Sequence, residues 1–113
     1  MQTYFGILTI GATPVQLPAD FPRVNKLFVQ HMPGNTGNFK VGGNSQLTMA
    51  ITTPGTYIQP LAAGVTNPDG SIPPGGDWEV ESHSRDNDIV VNQYFFHGSH
   101  SGDKLSYEIH VEG

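Results

Sequence analysis

The residues with the most chemistry within reach are the two histidines of "HGSH" (97–100) and the nearby carboxylate of Asp103. Two imidazoles three positions apart, with a carboxylate close by, form a donor set for a divalent metal. The same stretch is rich in Gly and Ser, which do not hold ligands at a fixed geometry, and the five histidines share no zinc-type spacing. The expectation is therefore a solvated loop without metal, unless a symmetry axis gathers His97 and His100 from several subunits. "SRDNDI" (84–89) carries the first ligands of a calcium loop but lacks its glycine and its distal glutamate, so an acidic turn is expected. Asp77, Glu79 and Glu81 alternate, so a strand would place all three on one face. Paired carboxylates of that kind serve acid–base chemistry in a cleft, and they also make an ordinary solvated sheet face. Ser, His and Asp all occur, but no Gly-x-Ser-x-Gly elbow presents a nucleophile. The expected inventory is no catalytic residue and no cofactor: a non-enzymatic chain.

"HMPGNTGNFKVGG" (31–43) poses the same question for phosphate binding. A phosphate-cradling loop needs Gly-x4-Gly-Lys followed by Ser or Thr, leading into a helix. Here Lys40 follows Phe39, precedes Val41, and sits in a strand-like run. Pro33 ends strand pairing, while Gly34, Asn35, Gly37 and Asn38 are the residue types that tolerate positive φ. The stretch is read as a β-hairpin connection.

These groups must be positioned by strands, because apolar residues recur along the chain with period two. The expected strands are 4–10, 15–17, 24–32, 39–41, 46–52, 56–61, 77–82, 89–96 and 104–111. In "QLTMAIT" (46–52), Leu47, Met49 and Ile51 alternate with polar neighbours. "IVVNQYFF" (89–96) is apolar on both faces, as in a central covered strand. In "KLSYEIHV" (104–111), Leu105, Tyr107, Ile109 and Val111 make the core face. Pro60 places 56–61 at a sheet edge. The prolines and glycines of 62–76 make a loop long enough to be functional or mobile. Trp78, Tyr94, Phe95 and Phe96 are read as core, with Tyr4 and Tyr57 as candidate exposed platforms. No stretch carries a helical stripe. The fold class is all-β: a single antiparallel β-sandwich over residues 1–113, of about eight short strands, with the jelly roll as a candidate topology.

Composition narrows the function. Only 13% of residues are charged and 36% are apolar, with the remainder rich in turn formers. There is no cysteine, so disulfides and thiolate metal sites are excluded. No apolar run is long enough for a membrane-spanning helix, and the first residues do not read as a secretory signal. The net charge of −5 argues against nucleic-acid binding. Residues 1–56 hold three cations and one anion (+2), whereas 57–113 hold two cations and nine anions (−7). Between Val41 and Gly76 the only charged side chain is Asp69, which suits either a covered surface or a solvated polar segment.

"GATPVQLP" (11–18) and "RVNKLFVQHMPGNTGNFKVGG" (23–43) carry a resemblance. They are similar to a pattern in small β-sandwich virion structural proteins of tailed bacteriophages. The matching positions are Val15, Gln16 and Leu17; Leu27, Val29 and Gln30; Pro33 to Gly37; and Val41 and Gly42. The resemblance implies a capsid decoration (cement) protein that binds and stabilises the assembled shell. It implies the major capsid protein as partner, self-association as a homotrimer, no nucleic-acid or membrane partner, and a place on the capsid surface of the virion after synthesis in the host cytoplasm. The alternative is a tail- or fibre-associated or carbohydrate-binding recognition module using Trp78, Tyr57 or the 62–76 loop. The candidate interface residues are Phe5, Ile7, Lys40, Tyr57, Gln59, Val65 and Ile72.

Overall fold

The computed structural model describes residues 2–10, 13–17, 24–51, 58–81 and 89–111. They form eight strands: β1 (Gln2–Thr9), β2 (Val15–Gln16), β3 (Val24–His31), β4 (Phe39–Gly42), β5 (Gln59–Leu61), β6 (Asp77–Glu81), β7 (Phe95–Gly98) and β8 (Lys104–Val111). Alternation decides which way each strand faces. In β3, Leu27, Val29 and His31 are buried while Lys26, Phe28 and Gln30 are half-exposed. In β8, Leu105, Ile109 and Val111 are buried between more exposed neighbours.

All ladders are antiparallel, and they make two four-stranded sheets ordered β1-β8-β3-β6 and β2-β7-β4-β5. The first strand pairs with the last, the second with the seventh, the third with the sixth and the fourth with the fifth. This is one long hairpin rolled up so that β8 meets β3 and β7 meets β4. The result is a jelly roll. Every connection except that from β4 to β5 leads from one sheet to the other, which alternation within single strands cannot reveal.

The two inner faces meet in one core. The first sheet contributes Leu27, Val29, Trp78, Leu105 and Ile109, and the second Phe39, Val41, Leu61 and Phe96. Burying each aliphatic side chain contributes about 1.5–3 kcal/mol. Trp78 bridges the sheets, edge-on to Tyr94 at 4.8 Å and to Phe96 at 6.3 Å between ring centroids. Gly6 lies opposite Tyr107, and a Cβ at Gly6 would overlap that ring. The glycine thus makes room for a tyrosine packed against the core.

Three expectations are corrected. Residues 46–51 are not a strand. Asn44 Oδ1 accepts the Gln46 N–H (2.9 Å), Leu47 N donates to Asn44 O, and Ile51 N donates to Thr48 O. These short-range bonds satisfy the backbone in successive turns, and they win over the apolar alternation. Leu47 is fully buried, whereas Met49 and Ile51 are only half-buried.

Residues 89–96 are not one strand either. Ile89 bridges Val24 in the first sheet, a 3-10 turn follows at Val91–Gln93, and β7 begins at Phe95 in the second. The run is apolar on both faces because it crosses between sheets. His97 and Gly98 consequently lie in β7, not in a loop.

Finally, 32–38 is not a hairpin connection. β3 belongs to the first sheet and β4 to the second, and neither pairs with the other. The segment is a corner between sheets. The acidic turn at 84–88 and Tyr57 lie outside the described residues.

Candidate interaction surface

The corner is held by polar side chains, the two central ones buried. His31 is completely buried and Asn35 is 5% exposed. Asn35 Oδ1 accepts the Lys104 N–H (2.9 Å), and its Nδ2 donates to the Lys104 carbonyl and to His31 Nδ1 (2.9 Å). The amide side chain thereby extends the β3–β8 ladder by one peptide. His31 Nε2 lies 2.7 Å from the Gly37 carbonyl and must donate to it, which fixes the tautomer with the proton on Nε2. The Asp103 carboxylate accepts the N–H groups of Gly37 (2.7 Å) and Thr36 (3.3 Å). Asn38 receives the Ala63 N–H on its side chain and donates its own N–H to Ser99 Oγ.

The three groups read as possible metal ligands do not converge on one point. Asp103 clamps the corner, His97 stands in β7 opposite Lys40, and His100 Nδ1 lies 3.0 Å from Ser99 Oγ. Among the described residues, no three His, Cys, Asp or Glu side chains converge.

The 62–76 segment packs against the same corner. Ile72 O accepts the Gly34 N–H, and Gly75 N donates to His31 O. Its tip is a tight turn in which Gly70 takes φ +88° and Asp69 Oδ1 accepts both the hydroxyl and the N–H of Ser71. The Ser71 hydroxyl, then its N–H, hold the Asp69 carboxyl below its ordinary range.

The outer face of the first sheet has the opposite character. The register sets Phe5, Glu108, Phe28 and Glu79 in one row across the four strands. The next row is Ile7, Ser106, Gln30 and Asp77. Phe5 is 75% exposed and Ile7 57%. With Phe28, Met32, Ser106 and Glu108 they border a groove of about 560 Å³. Charge is graded across the face. β1 carries none, while β6 presents Asp77, Glu79 and Glu81. Lys26 Nζ lies 3.6 Å from Glu79, an exposed pair of small energetic weight.

Of the residues singled out from sequence, the structure brings Phe5 and Ile7 together in this groove. Lys40 lies in β4, in the other sheet, with Nζ donating to the Ile51 carbonyl (2.9 Å). Gln59 lies in β5, and its Nε2 donates to Asp77 O (3.1 Å). Val65 is 84% exposed on the 62–76 segment, and Ile72 is half-buried there. Trp78 is only 8% exposed, so its ring offers no sugar platform, whereas Tyr4 is 42% exposed.

Phe28 and Met32 are the groove residues that sequence reasoning passed over. The signal was present, because Phe28 falls on the Lys26 and Gln30 face of β3, opposite Leu27 and Val29. In chemical terms the groove is an apolar strip with one carboxylate, Glu108, in its lining. It suits contact with another protein better than turnover of a small molecule. No family model matches the chain, and no curated protein or solved structure matches it.

Proposed function

We propose that this chain is a non-enzymatic structural protein that docks on an assembled protein shell, a capsid decoration protein. Docking uses the outer face of the first sheet. The observation that carries the reading is the groove strip in which Phe5 and Ile7, exposed on an uncharged strand, adjoin the half-buried Phe28 and Met32. A large exposed aromatic with aliphatic neighbours on an open sheet marks a contact surface. The capsid as the thing contacted rests on the resemblance of residues 11–18 and 23–43 to small phage virion proteins. The rolled sandwich and its hydrogen-bonded corner supply a rigid platform, as a clamp requires. A partner that covers the groove would bury apolar surface and offer a donor to Glu108.

Such a protein stabilises the shell by mass action, because binding only the assembled, expanded form favours that form. The test is co-sedimentation of purified protein with expanded capsids and with free capsomers. Saturation at a fixed stoichiometry on capsids only, lost in Ile7→Glu, supports the reading. Equal binding to free capsomers contradicts it.

A further inference from the structure

Four strand edges bound the two sheets, and they are not equally protected. In the second sheet, β2 has two residues, and β5 has three with Pro60 among them. Short strands and proline are standard means of blunting an edge. In the first sheet, β6 carries three acidic side chains on its outer face. Only β1 is long, free of charge and free of proline, with eight residues in unbroken register with β8. Among the described residues, no strand pairs with its far side.

The direction of its backbone groups follows from Ile10, whose N–H and C=O both bond toward the segment preceding β8, at Asp103 and Gly102. With period two, Leu8 and Gly6 point the same way. Thr3, Phe5, Ile7 and Thr9 then aim their N–H and C=O at the open edge.

We infer that β1 pairs antiparallel with β1 of a second copy across a two-fold axis at Gly6. In that register Phe5 stands opposite the second copy's Ile7, and Thr3 opposite its Thr9. All four edge-facing residues of each strand are then used, each pair exchanging two backbone hydrogen bonds. A shift of the axis by one residue either way leaves at least one of them without a described partner. The apolar side chains are self-complementary about the axis, as a two-fold contact requires. Charge selects the same partner. The chain carries −5, and β1 is where two copies meet without opposing carboxylates. Pairing β1 with the neighbour's β6 would instead set Phe5 and Ile7 among Asp77, Glu79 and Glu81. The two-fold pair also makes one eight-stranded sheet whose two apolar grooves lie side by side.

This association is independent of what the grooves dock on, so it is tested with purified protein alone. Sedimentation equilibrium over about 1–100 μM, the affinity range of a small interface, should show a reversible dimer of the 12.2 kDa chain. Phe5→Lys combined with Ile7→Lys puts like charges across the axis and should weaken the dimer at least tenfold. Phe5→Glu combined with Ile7→Lys puts opposite charges across it and should keep the dimer. Circular dichroism should show all three proteins folded, since both side chains face solvent. A monomer throughout the range, a trimer, or equal affinity for the two double variants overturns the inference.

Discussion

The corner at 31–38 and the outer face beside β1 invert the usual distribution of polar and apolar groups. At the corner, His31 and Asn35 are buried, and their ring nitrogens and amide atoms all have partners. On the outer face, Phe5 and Ile7 stand in water with nothing over them among the described residues. A buried polar network with every group satisfied fixes one geometry, because any partial rearrangement strands a donor or acceptor. An exposed apolar strip has no such internal justification. It adds nothing to the fold and becomes favourable only when something covers it. The corner therefore serves structure, and the strip is the surface proposed for association.

Removing the corner's central group should have the largest effect. Asn35→Ala strands the Lys104 N–H and His31 Nδ1, leaves the Lys104 carbonyl with the Met32 N–H alone, and should lower stability by about 2–3 kcal/mol in urea unfolding. Gly6→Ala comes next. Its Cβ would overlap Tyr107, a ring packed on the core, so Tyr107 must move, at a cost of about 1–3 kcal/mol by the same measurement. Phe5→Ser should change monomer stability by no more than about 0.5 kcal/mol, yet abolish capsid binding. A stability loss as large as that of Asn35→Ala would erase the distinction between the two regions.

The smallest effect is expected at Asp69, in the exposed turn of the 62–76 segment. Its folded pKa lies below the ordinary value of 3.8, so its contribution is present above that value and is lost as pH falls through the folded one. The Ser71 amide resonance should report this loosening as pH falls through the folded pKa of Asp69.

How much of this could be read from sequence depended on whether the deciding interactions were local. β8, β6 and β3 were legible, because each has one face in the core and a clean period of two. Residues 46–51 misled because Asn44 closes turns with its side chain and main chain, and alternation does not register that. Residues 89–96 misled because a two-faced apolar run fits a crossing between sheets as well as a central strand. The corner's residue types were recognised as turn formers. Their true partner, Lys104, is 69 positions away, and no spacing rule reaches it. At the surface, Phe5 and Ile7 were legible as strand residues of uncertain face. The register with β8 decided the face, and with it the company of Phe28 and Met32.

As proposed, the outer face of the first sheet is covered when the protein sits on an assembled shell. Electron cryo-microscopy of intact particles carrying this protein tests it most directly. Density for the rolled sandwich is expected on the capsid exterior, with Phe5, Ile7 and Phe28 turned toward capsid subunits and shielded from solvent. Density at the tail, or on the capsid with that face turned outward to solvent, would contradict it.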